Sequence, residues 1–134
     1  MVNYVIYFII YGAIGWVLDS ASRSLEKRKF IEASYFGIPF MPVYGVGGLT
    51  IVLLIPVLSS YNILTKFLVY GVSLAILEYI AGVFVEKTKN KRLWDYSKSK
   101  FNLHGRTDLT RAICWGILAL ITEYYIHPLI SQFI

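Results

Sequence analysis

"ILTKFLVYGVSLAILEYIAGVFVEK", residues 63–87, is apolar over the length of a membrane crossing yet carries two carboxylates, Glu78 and Glu86. About 20 apolar residues cross a hydrocarbon core, so the run predicts a transmembrane helix from about 63 to 87. Its small and acidic residues fall on one face: Gly71, Ala75, Glu78, Gly82 and Glu86 follow steps of four, three, four and four. Small residues let helices approach closely. Charge inside a bilayer is costly and turns toward a bundle interior or a cavity. The stripe therefore has two readings, a packing face with structural carboxylates or the wall of a solute or ion path with Glu78 its deepest group. For Glu86, nearer the boundary, a salt bridge to Arg106 or Arg111 is expected.

The rest of the chain has the same character. It has 134 residues, 57% hydrophobic and 16% charged, where soluble domains are about 25% charged. Further apolar runs predict helices over about 3–24, 40–58 and 108–132, with Thr107 or Asp108 as N-cap of the last. The expected architecture is all-α: a polytopic four-transmembrane-helix bundle, one transmembrane domain over 1–134. The first run is read as a retained helix, because its basic cluster follows the apolar stretch instead of preceding it. Cys114 lies in an apolar run and reads as a small core residue.

Every Lys and Arg except Lys66 flanks the first-to-second or the third-to-fourth connection. Basic loops stay cytoplasmic, which predicts a multi-pass cell-membrane protein with both termini outside and both basic loops inside. The net charge of +5 then reflects orientation and contact with anionic lipid headgroups, and no nucleic-acid partner is expected.

"FGIPFMPVYGVGG", residues 36–48, is rich in glycine and proline, a poor recipe for a regular helix. It predicts a broken or partly re-entrant second helix, or a loop at the interface. On the first helix, Tyr4 and Tyr7 are read as interfacial aromatics, and Asp19 can pair with Arg23 four residues on. Tyr11 is too deep for the interface, and its hydroxyl needs a partner. Glu123 and His127, four apart near the outer end, predict a structural hydrogen bond and not a metal site. The candidate polar-cavity residues are Asp19, Glu78, Glu86, Arg106, Tyr11 and Tyr44.

The segment "RLWDYSKSKFNLHGRTDLT", residues 92–110, is a polar island between the last two helices. It is expected to form an ordered cytoplasmic cap built on Trp94, Asp95, Tyr96, Asn102 and His104. Asp95 or Asn102 should hydrogen-bond backbone there, and Arg106 should meet Glu78 or Glu86.

Taken in order, Gly15-Trp16 with Asp19, "PVYGVG" (42–47), "LEY" (77–79) with Glu86, "WDYS" (94–97), "FNLHGR" (101–106), Trp115-Gly116 and His127-Pro128 resemble the putative ABC-transporter type IV permease family, the CmpB-like small membrane proteins. The likeness spans nearly the whole chain. It departs at Asp19, where the family more often has Glu, at His104, where Asn is commoner, and at "IEASYFGIP". It implies a multi-helix transport component. The sequence holds no GxxxxGK[ST] phosphate loop, so an ATP-driven cycle requires a separate ATPase subunit.

The leading expectation is a permease-like protein binding or moving a small or amphiphilic solute, as a homo-oligomer or with a partner membrane or ATPase subunit. The alternatives are a non-transport accessory or lipid-binding scaffold and, lower, a small proton-coupled exporter. An acid–base pair of Asp95 and His104 acting on a lipid headgroup is the weakest reading. No enzyme activity, metal or cofactor is expected.

Overall fold

Helix α1, Val2–Lys27, ends at Arg28, which adopts a left-handed conformation at φ 53°. The turn returns the N–H groups of Arg28 and Lys29 to the carbonyls of Leu25 and Ser24, satisfying acceptors that a helix end otherwise leaves open. The computed structural model describes residues 1–33 and 37–134. They form two compact units, Met1–Thr50 and Ile51–Ile134.

In the first unit, the serines of α1 fasten the chain that leaves it. Ser24 Oγ accepts from Ile31 N at 2.8 Å and donates to Ile31 O at 3.1 Å. Ser20 Oγ accepts from Ala33 N at 2.9 Å. After Gly37–Pro39, Met41 N donates to Gly12 O at 3.0 Å. Helix α2, Pro42–Leu58, then starts with proline where its missing N–H costs nothing.

Of the segment 36–48, Phe36 lies outside the described residues, as do Ser34 and Tyr35. From Pro42 onward the expected break does not occur: α2 runs unbroken to Leu58. Its glycines are packing sites. A side chain at Gly45 or Gly48 would strike Phe8 or Tyr11, and one at Gly12 or Gly15 would strike Phe40 or Tyr44. Each helix thus offers glycines to the other's aromatic rings, the close approach that small residues permit. Tyr7, expected at the interface, is buried beside Tyr11 at 6.4 Å between ring centroids.

The second unit is built on α3, Ile63–Lys89, whose N-cap Asn62 accepts from Thr65 N at 2.9 Å. A two-stranded antiparallel hairpin follows, β1 (Asn102–Leu103) with β2 (Thr107–Asp108). It turns through His104 and Gly105 at φ 54° and 71°. Asp108 caps helix α4, Leu109–Ile121, accepting from Arg111 N at 2.6 Å. The chain continues through a π-helical segment, Thr122–Ile126, into α5, His127–Ser131. Pro128 explains the change of pitch. It has no N–H for the Tyr124 carbonyl, and its ring crowds that carbonyl. His127 N reaches back five residues to Thr122 O instead.

Gly71 rests against the Ala112 carbonyl, and Gly116 against Phe67, so α3 and α4 touch backbone to backbone. The core of this unit is Ile51, Leu58, Tyr70, Leu74 and Ala119. Its surface is inverted relative to a soluble domain. Lys66, Glu78, Thr107, Asp108 and Thr122 are buried, while Leu68, Val72, Ile76, Ile80 and Phe84 form an exposed apolar stripe at steps of four along α3. Among the described residues, Val2–Lys27, Ile63–Lys89 and Leu109–Ser131 are long and apolar enough to cross a membrane.

Candidate functional site

The polar island folds back along α3 from its end. Glu78 lies eleven residues before the last residue of α3, about 16 Å along the axis at 1.5 Å per residue. The loop nevertheless reaches it. Tyr96 donates its hydroxyl to Glu78 Oε1 at 3.0 Å, and Thr107 Oγ1 donates to Oε2 at 3.2 Å. Trp115 of α4 donates Nε1 to the same Oε2 at 3.0 Å. One buried carboxylate therefore joins helix, loop and following helix. Burial, and next the negative charge of Glu78, push the Tyr96 hydroxyl well above the usual tyrosine range. Arg111 covers the Tyr96 ring at 4.2 Å.

Glu86, two turns further along α3, is the second attachment. Of the two partners expected for Arg106, Glu86 is the one it meets: Nε to Oε2 at 2.8 Å and Nη2 to Oε1 at 3.3 Å. This two-point contact holds the Arg106 guanidinium above its ordinary value, as a fork-shaped cation on a carboxylate should. Arg92 adds a contact to Glu86 Oε1 at 3.2 Å. Gly82 leaves the room through which the Arg106 stem passes. Arg106 Nη1 also donates to Tyr79 OH at 2.9 Å, and that hydroxyl meets His104 Nδ1 at 2.9 Å.

Within the loop, local bonds set the shape. Asp95 Oδ1 accepts from Ser97 N at 2.9 Å, from the Ser97 hydroxyl, and from Arg92 Nη1 at 3.1 Å. The Ser97 bonds foremost hold its carboxyl below the usual range. Asn102 donates to Ser99 O at 2.8 Å and accepts from Gly105 N at 2.8 Å. Tyr96 N donates to Gly105 O at 2.8 Å, and Trp94 Nε1 donates to Arg106 O at 2.9 Å. Glycine suits position 105: φ is positive, and a Cβ there would displace the side-chain ends of Arg92, Asp95 and Ser97.

The remaining candidates lie in the first unit. Asp19 pairs with Arg23 at 2.8 Å and accepts from Tyr44 OH at 3.4 Å, and Tyr11 is buried against Gly48. The Trp16 indole N–H is buried and meets no acceptor among the described residues.

One cluster was not anticipated from the sequence. Lys66 Nζ meets Glu123 Oε1 at 2.7 Å and Tyr124 OH at 3.1 Å, and Tyr70 OH donates to Glu123 Oε2 at 3.0 Å. Both charged side chains are under 10% exposed. Glu123 thus looks across to α3. The sequence signal for it is a lone lysine in an apolar run.

Helices that hide charge and turn aliphatic stripes outward define a helical membrane protein. More narrowly, the chain belongs to the family described as putative ABC-transporter type IV, whose model matches residues 6–134. No curated protein and no solved structure matches it. Around Glu78 and Glu86 lie several of the motifs that carry the likeness: "LEY", "WDYS", "FNLHGR" and Trp115.

Proposed function

We propose that the chain is the membrane-embedded part of a transport system. In this reading the loop 90–108 is a latch that opens and closes the cytoplasmic end of a path for a small or amphiphilic solute. The observation that supports it is the meeting of α3, loop and α4 at the buried Glu78 carboxylate. A group that joins a non-helical segment to two spans at that depth couples loop position to helix packing. The family match supports the transport setting. In this reading the loop is cytoplasmic and both termini lie outside, which the basic flanks support. The chain then crosses four times, with the 17 residues of α2, about 25 Å long, as its shortest pass. Energy comes from a partner ATPase, and the working unit is a homo-oligomer or a complex with that subunit. We assign it no enzymatic step.

A second reading rests on the completeness of the bonding. Both carboxylate oxygens of Glu78, Glu86 and Glu123 hold side-chain donors, as a static scaffold would require. Passive release of an amphiphilic fluorescent dye down its own gradient from proteoliposomes, which needs no ATPase, separates the two. A gating loop predicts that Glu78→Gln and Tyr96→Phe both alter release by the protein. Unchanged release with lowered thermal stability sinks the gate and leaves the scaffold.

A further inference from the structure

The outer side of the hairpin is apolar. Phe101, Leu103 and Leu109 are 61%, 59% and 52% exposed, and Leu109 N donates to Phe101 O at 3.2 Å. Phe101 thus stands level with the first residue of a membrane-length span. Beside it are cations: Lys98 and Lys100 are exposed, and Lys100 Nζ lies 5.5 Å from the centre of the Phe101 ring.

Helix lengths place this surface against lipid. α3 contacts the last span at Lys66, through Glu123, and at Glu78, through Trp115. Those contacts are twelve residues apart on α3, about 18 Å, against a hydrocarbon core of about 30 Å. Three residues of α3 precede Lys66, about 5 Å, so a core crossed by α3 extends past Glu78. Past Glu78, α3 presents Ile80 and Phe84, both exposed and apolar. The hairpin tip lies alongside this stretch, through His104 on Tyr79 and Arg106 on Glu86. Non-helical backbone is tolerated at such depth when its polar groups are satisfied within the protein. Here the carbonyls of Phe101, Leu103 and Gly105 accept from Leu109, Arg106 and Tyr96.

We propose that the hairpin is a membrane-interface anchor: Phe101 and Leu103 enter the acyl-chain boundary of the leaflet it faces, while Lys98 and Lys100 hold anionic phospholipid headgroups. Apolar side chains flanked by cations suit that layer, and each lysine strengthens attraction to an anionic surface by about fivefold. The lipid contact and the latch share one segment, so headgroup charge would bias whether the latch stays seated. The anchor rests on the membrane reading of α4, not on transport.

The test uses the full chain in nanodiscs with Cys114→Ala, carrying a spin label at one of four sites, Phe101→Cys, Leu103→Cys, Ile117→Cys or Lys91→Cys. Ile117 is an exposed apolar residue of α4 and serves as lipid control; Lys91 serves as aqueous control. Labels at 101 and 103 should collide with dissolved oxygen and be shielded from an aqueous nickel chelate, as at 117. Removing anionic phospholipid, or introducing Lys98→Gln with Lys100→Gln, should raise nickel collisions at 101 and 103. If 117 reads lipid while 101 and 103 read water, the anchor is overturned and the membrane reading stands. If 117 itself reads water, both are overturned. Shielding of 101 and 103 from both reagents would mean a protein partner covers the hairpin, and indifference to lipid charge would remove the headgroup contact; either result overturns the proposal.

Discussion

Tyr96 donates its hydroxyl to Glu78 Oε1 at 3.0 Å, tying a loop residue to a carboxylate eleven residues inside the end of α3. A hydrogen bond to a charged acceptor contributes about 1.5–3 kcal/mol. Tyr96→Phe keeps the ring and removes the hydroxyl with its bonds to Glu78 and Arg111, so it should lower the free energy of unfolding in detergent by at least about that much and bring the thermal midpoint down with it. Equal midpoints for variant and wild type would show that the bond contributes nothing.

Arg106 and Glu86 meet through two donors with both side chains partly exposed. A lysine cannot reproduce the fork. Arg106→Lys should therefore be destabilised nearly as much as Arg106→Ala, in thermal melts of the two variants. A double-mutant cycle with Glu86→Gln should give a favourable coupling, and the coupling should shrink in high salt. Full rescue by lysine would contradict the two-point geometry.

Lys66 and Glu123 form a buried pair. Removing one partner strands the other, at about 3–5 kcal/mol. Replacing both with apolar residues of similar volume should recover most of that loss. Thermal melts of Lys66→Met, Glu123→Leu and the double variant check it; additive losses would show that the two charges are not coupled.

Asp95 has its carboxyl held below the ordinary aspartate range by Ser97 and then Arg92. Because the folded value lies below the unfolded one, its contribution is complete above the ordinary value, about pH 4. It is lost as pH falls through the depressed value. Local order around Trp94, read by its fluorescence, should be flat from neutral pH to that point and then decline. Asp95→Asn should show no such decline. A transition near pH 6 to 7 would assign the effect to another group.

The membrane class and the α3 stripe were legible because both are periodic and local: runs of spanning length, and steps of three and four. Arg106 was placed near a glutamate because charge in an apolar setting needs a partner. The Lys66–Glu123 pair was not legible, since its members are 57 residues apart and only the folded α3–α4 contact joins them. Nor was the role of the α2 glycines. Composition alone does not separate a helix broken by glycine from one that uses glycine to admit Phe8 and Tyr11. The folding back of the loop depended on side-chain reach, which sequence spacing does not encode.

Amide hydrogen exchange in lipid nanodiscs tests the latch most directly, by comparing wild type with Tyr96→Phe and Glu78→Gln. The account predicts faster exchange across residues 92–108 in both variants, with the α3–α4 interface around Gly71 and Gly116 still protected. Unchanged exchange in the loop, or uniform loosening of α3, α4 and loop together, would contradict it.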